Sequence, residues 1–225
     1  MIGKTYHAVY VWESPVRFFH LINVGSMLVL GITGFLIGNP PALLSSQEAS
    51  FSYWFGWIRF IHFATAYIFT LNLLVRIYWS LLGNEYASWR NFIPTTKAKM
   101  EEMGKFLKWY VLLRPVQGRI PLSHNALAGL SYFLIVLLAL FQVATGFALY
   151  FGMSDSWFPA LFGWVTVLFG NEMAVRQWHH ITLWVFVVFT VVHLYIVWLN
   201  DSVEKRGLFS SIATGFKLVE DEEKK

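Results

Sequence analysis

The chain is 225 residues long, 56% hydrophobic and only 13% charged, with aromatics at 19%, a composition that excludes an ordinary soluble domain and marks an integral membrane protein. The formal charge of +4 does not point to nucleic acid, because the cations are gathered in one loop. Cysteine is absent, which excludes a cysteine-ligated iron–sulfur cluster and covalent c-type haem, so a cofactor must lean on histidine, methionine or backbone.

The amino end does not read as a cleavable signal, since Arg17 and His20 interrupt where an apolar core would run. Four windows have the roughly 20 mainly apolar residues a spanning helix needs: 16–38, 57–82, 122–151 and 177–200. Between the second and third lie Arg90, Lys97, Lys99, Lys105, Lys108, Arg114 and Arg119, against Glu85, Glu101 and Glu102. Within that loop, 100–113 places Met103, Phe106, Leu107 and Tyr110 at helical spacing among lysines, which predicts an amphipathic helix on the membrane surface. Pro115 and Pro121 punctuate the entry to the third span. The stretch 157–170 is too short to cross and is broken by Pro159 and Gly163, so it is expected to be interfacial or re-entrant. The cytoplasmic tail is about 203–225, and its end after Leu218, with Glu220, Asp221, Glu222, Glu223, Lys224 and Lys225, reads as solvated. The remaining loops carry Glu48, Asp155 and Glu172 and almost no cations. By the positive-inside rule the basic loop and both termini are cytoplasmic, with Lys4, Lys205, Arg206 and Lys217 in agreement. Contact with anionic lipid is a second use for that loop. The expectation is one domain, all-α: a four-helix haem-binding membrane bundle with an added short interfacial or re-entrant segment.

The fourth span carries His179 and His193 in a charge-free run, and ionisable groups at membrane depth point to function. Fourteen residues turn a helix about 1400°, close to four full turns, and advance it about 21 Å. The two imidazoles therefore share one face at two depths, too far apart for one metal ion. His180 is out of phase with His193 and is the poorer partner. With the amino end inside, His62 lies level with His179 near the external side, and His20 level with His193 near the cytoplasmic side. Each pair offers two neutral imidazoles from different helices, as a six-coordinate haem iron requires. Zinc or copper would need three or four clustered ligands, and no carboxylate shares these depths.

Fourteen residues after His20 comes Gly34, where a missing side chain lets a flat macrocycle approach the backbone. Fourteen after His62 comes Arg76, placed to pair with a haem propionate, as is Arg17; Arg59 and Arg176 are placed for external propionates. Snorkelling at a helix end is the alternative use of each arginine. Gly129 and Gly146 read as packing positions. His124 opens the third span, either as a hydrogen-bond or proton partner for a quinone oxygen or as a plain interfacial residue. His7 reads as solvent-exposed.

At these residues the chain resembles the b-type cytochrome subunit of membrane-bound nickel–iron hydrogenases. The pattern R-x-[aromatic]-H-[RH]-[aliphatic]-x-x-W-x-[apolar]-x-x-F-x-x-x-H is met by Arg176, Trp178, His179, His180, Ile181, Trp184, Phe186, Phe189 and His193. A second pattern, R-x-x-H-W leading to T-G, is met by Arg17, His20, Thr33 and Gly34, with Leu21 in place of tryptophan. Gln177 replaces a usual small residue, and neither departure touches a histidine. The resemblance, which covers about Arg17 to Leu199, implies a dihaem b anchor of a bacterial inner membrane. Such an anchor takes electrons from a periplasmic iron–sulfur small subunit attached to the nickel–iron large subunit, and passes them to quinone. Related layouts serve formate dehydrogenase and thiosulfate reductase; a redox-inactive anchor or a transporter is the alternative of another class.

Overall fold

The computed structural model describes residues 6–41, 53–113, 121–154, 156–204 and 207–220. Lys4, Glu48, Arg114, Pro115, Arg119, Asp155, Lys205, Arg206 and the charged tail from Asp221 onward lie outside the described residues. In chain order, strand β1 (Tyr6–Tyr10) precedes helices α1 (Ser14–Gly38), α2 (Trp54–Leu82), α3 (Lys97–Leu112) and α4 (Ala126–Phe151). The short α5 (Trp157–Ala160) and α6 (Gly163–Phe169) follow, then α7 (Glu172–Glu204), α8 (Leu208–Thr214) and strand β2 (Phe216–Glu220). Among the described residues α1, α2, α4 and α7 are long and apolar enough to cross a membrane, so the protein is a helical membrane bundle.

The spans begin where side chains cap them. Asn125 Oδ1 accepts from Ala128 N at 2.9 Å, which starts α4 at Ala126 instead of 122. Asn171 Oδ1 accepts from Ala174 N at 2.8 Å, and this cap extends α7 upstream of 177 to Glu172. The interfacial stretch divides as its sequence requires, with Pro159 inside α5 and Gly163 opening α6. Gly170, at φ 82°, closes α6 in the left-handed conformation.

The chain divides into two compact units that share the long helices: one comprises Met1–Phe19, Arg76–Leu134 and Phe189–Lys225, the other His20–Val75 and Ile135–Val188. In the first unit α3 forms as expected, Thr96 capping it through Lys99 N at 3.3 Å. Part of its apolar face is covered by protein, Phe106, Trp109 and Tyr110 clustering with Leu199, flanked by Leu127 and Ile196, while Leu107 stays exposed. In the second unit Ala148, Val165 and Val175 form a core that Phe162 and Phe169 close.

Towards the carboxyl end the helical bundle gains a strand pair that the all-α expectation did not include. Residues Phe216–Glu220 pair antiparallel with Tyr6–Tyr10, Tyr6 opposite Glu220 and Tyr10 opposite Phe216. Val11 N and Trp12 N both donate to Gly215 O, at 2.9 and 3.1 Å. Lys217 turns inward on this strand: its Nζ donates to Leu122 O at 2.8 Å and stands 5.1 Å from the centre of the Trp12 ring. A buried lysine in the middle of a strand defeats the apolar alternation by which a strand is recognised.

Candidate functional site

The site is assembled in the second unit by residues from α1, α2, α4 and α7. A cavity of about 290 Å³ is lined by His62, His179 and His180, by Gly34, Gly38 and Gly146, and by Arg59 and Arg176 at charged positions. Its remaining wall is largely aliphatic and aromatic, as in small-molecule and cofactor sites generally. His62 and His179, matched by depth in the sequence, are thus brought around one space.

Each of these two rings is seated in the same way. Thr33 Oγ1 lies 2.8 Å from His62 Nδ1, and a Cβ on Gly34 would stand 3.3 Å from His62 Cε1. Thr145 Oγ1 lies 2.9 Å from His179 Nδ1, and a Cβ on Gly146 would stand 3.1 Å from His179 Cε1. A Thr-Gly dipeptide late in one helix therefore cradles a histidine early in another, and the arrangement is built twice. Gly146 is a packing residue, as expected, and what packs on it is the histidine ring. At Gly34 the near neighbour is likewise an imidazole edge. Gln142 reaches His179 from α4, its Nε2 3.3 Å from His179 Nε2 and donating to His179 O at 3.2 Å. Its Oε1 is buried with no hydrogen-bond partner.

His180, set aside by its phase, lines the same cavity, and its Cε1 would lie 3.0 Å from a Cβ on Gly38. The roughly 100° between successive helix residues is spanned by a cavity broad enough to meet both rings. Arg59 Nη2 donates to Met153 Sδ at 2.6 Å.

The first unit holds Arg17, Arg76, His124 and His193. Arg76 is only 4% exposed. Its guanidinium lies 5.7 Å from the Phe19 ring centre, 5.4 Å from Phe92 and 5.1 Å from Tyr132. Nη2 donates to Ala87 O at 3.3 Å, whereas Nη1 and the Tyr132 hydroxyl are buried without a hydrogen-bond partner. This aromatic enclosure differs from snorkelling, in which the head reaches water. Arg17 donates to Ala213 O and to Ser14 Oγ, which ties α1 to α8. His124 packs against Trp12, Phe92 and Tyr132. Burial, with the positive charges of Lys217 and Arg76 behind it, pulls its ring down to about 3. It is therefore neutral at pH 7 and offers a hydrogen bond, not a stored proton. His193 stacks on Phe189 at 5.7 Å. His20 is half-buried on α1 and belongs to the second unit. His7 is exposed on β1.

Thr145 and Gln142 were not singled out in the sequence, although the recurrence of Thr-Gly at 33–34 and 145–146 was a usable signal. Together, the apolar spans and a cavity walled by imidazoles define a multi-pass membrane protein of the b-type cytochrome class. A family model described as prokaryotic cytochrome b561 matches residues 11–215, and the chain belongs to that family. It is 39% identical over 223 residues to a probable Ni/Fe-hydrogenase B-type cytochrome subunit of Cupriavidus necator, covering 97% of this chain and 91% of the relative. A subunit of the same description from Azotobacter vinelandii is 39% identical over 219 residues, with 96% and 90% covered. The probable Ni/Fe-hydrogenase 1 B-type cytochrome subunit of Escherichia coli K12 is 34% identical over 213 residues, with 92% and 90% covered.

The family implies haem b, and the residues present fit it. Glycine cradles that a Cβ would crowd, two imidazoles from different helices, an unpartnered buried Gln142 Oε1 and two arginines on the wall suit a flat, anionic-edged macrocycle.

Proposed function

We propose that this chain is the dihaem b subunit that anchors a periplasmic nickel–iron hydrogenase to the bacterial inner membrane and passes its electrons to quinone. His62 with His179 holds one haem iron, and His20 with His193 the other. Haem b would supply reversible one-electron chemistry, and the protein would supply imidazole nitrogens, a dry apolar wall and charge for the propionates. Arg59 and Arg176 serve the external propionates; Arg76 and Arg17 serve the cytoplasmic end, where His124 is the contact for a quinone oxygen. Electrons enter from the iron–sulfur small subunit on the external side and leave toward quinone on the cytoplasmic side. Hydrogen oxidation releases protons outside while quinone reduction takes them up inside, so turnover charges the membrane.

One observation carries this reading: His62 and His179, distant in sequence, line one intramembrane cavity and are seated by matching Thr-Gly pairs. The hydrogenase names of the relatives supply the donor. The test is haem stoichiometry and the b-type absorption spectrum after replacing each histidine by alanine. His62→Ala and His179→Ala are expected to abolish one spectral component, and His20→Ala and His193→Ala the other. Loss of different components by the first two, or of none, would overturn the pairing. Co-purification with a nickel-containing partner tests the donor, since a molybdenum-containing one would transfer the scaffold to another reductase.

A further inference from the structure

Each threonine hydroxyl in the two cradles has one proton, and the geometry shows where it goes. Thr33 Oγ1 lies 2.6 Å from Val29 O and 3.4 Å from Leu30 O. Thr145 Oγ1 lies 2.9 Å from Phe141 O and 3.2 Å from Gln142 O. Carbonyl oxygens only accept, so each hydroxyl donates backward along its own helix. Toward the histidine it has only lone pairs left. At 2.8 and 2.9 Å a deprotonated Nδ1 would set lone pair against lone pair, and so Nδ1 of each ring carries the hydrogen.

The other side of His179 agrees independently. His179 O accepts from Gln142, which fixes the amide with its nitrogen toward the ring. Gln142 Nε2 then faces His179 Nε2 at 3.3 Å with a hydrogen to give, which requires Nε2 to be the bare acceptor. Both lines of geometry assign the same tautomer.

We propose that Thr33 and Thr145 are positioning residues that lock His62 and His179 in the Nδ1–H tautomer, present the Nε2 lone pair as the atom that would ligate iron, in exchange at His179 for the Gln142 hydrogen, and raise its basicity. A neutral imidazole has two tautomers, and only this one offers Nε2 as a ligand. Accepting from Nδ1–H pushes electron density onto Nε2, which favours ferric over ferrous iron. The inference rests on the proposed His62 and His179 ligation.

The test compares Thr33→Val and Thr145→Val, which keep shape and lose the hydroxyl, with Thr33→Ser and Thr145→Ser, which keep it. The readouts are haem per chain, the midpoint potential of the affected haem and the low-spin electron paramagnetic resonance signal, on complexes from membranes. The valine variants are expected to shift that haem's potential upward, alter its ligand-field signal and weaken haem retention about 10–100-fold. The serine variants are expected to restore wild-type values. Should a valine variant fail to accumulate, the alanine variant at the same position is read in the same way. Potentials and signals unchanged by valine, or shifted equally by serine, overturn the assignment. His62→Ala and His179→Ala run alongside: if these lose haem while the valine variants match wild type, only the threonine role falls. If they keep both haems, the ligand pairing falls with it.

Discussion

A single methyl group is enough to probe how closely His62 and His179 are held. Added at Gly146 it would stand 3.1 Å from His179 Cε1, and added at Gly34 it would stand 3.3 Å from His62 Cε1. Both separations are inside ordinary van der Waals contact. The imidazoles cannot retreat freely, because Thr145 and Thr33 hold their Nδ1 atoms. Gly146→Ala is therefore expected to lower the haem-to-protein ratio, and Gly34→Ala to do so less. Gly25→Ala, where a Cβ meets nothing within 4 Å, leaves the ratio unchanged. Pyridine haemochrome content per chain measures all three, and equal ratios would show that the cradles are slack. Much of this site was legible in residues alone: the fourteen-residue spacing and the span directions matched His62 with His179. The threonine and glutamine partners were less visible, because a hydroxyl within a helix carries no periodic signature. His180, out of phase with His193, still lines the cavity, since phase describes one line along a helix and the cavity covers an arc.

Helix α3 shows how an element reads correctly in sequence while its partner does not. Its apolar positions forecast a helix, and the structure supplies the cover: Phe106, Trp109 and Tyr110 against Leu199. A hydrogen-bond network fixes that packing. The Tyr110 hydroxyl accepts from Asn125 Nδ2 at 2.7 Å and from Asn200 Nδ2 at 3.2 Å, while Trp109 Nε1 donates to Asn200 Oδ1 at 3.1 Å. Removing the hydroxyl strands buried amide hydrogens, a loss of about 1–3 kcal/mol. Tyr110→Phe is expected to lower the thermal midpoint in detergent, whereas Tyr78→Phe, at a position 58% exposed, leaves it in place. Coincident melting curves would mean that the network adds nothing. The four spans were legible because hydrocarbon forces long apolar runs. The β1–β2 ribbon was not, because its strands are five residues each, lie at opposite ends of the chain, and turn Lys217 inward.

At the scale of the whole molecule that ribbon constrains topology without any count of charges. Strands Tyr6–Tyr10 and Phe216–Glu220 exchange backbone hydrogen bonds, and two strands can pair only if they lie on the same side of the bilayer. The number of crossings between them must then be even. Among the described residues α1, α2, α4 and α7 make four, and a fifth would break the pairing. α5 and α6, of 4 and 7 residues, would reach only about 16 Å of a core about 30 Å thick, so they turn back. By the positive-inside rule the lysines of α3 are expected on the cytoplasmic side. Because the chain has no cysteine, single replacements give unambiguous labels at exposed positions: Lys105→Cys, Ser210→Cys and Ser156→Cys. With a membrane-impermeant maleimide, Ser156→Cys is expected to react in spheroplasts, and Lys105→Cys and Ser210→Cys only in inverted vesicles. Labelling of Lys105→Cys and Ser156→Cys from the same face would break the four-crossing arrangement. Inversion of the whole pattern would keep the fold and reverse the proposed direction of electron flow, because the His62 and His179 end would then face the cytoplasm.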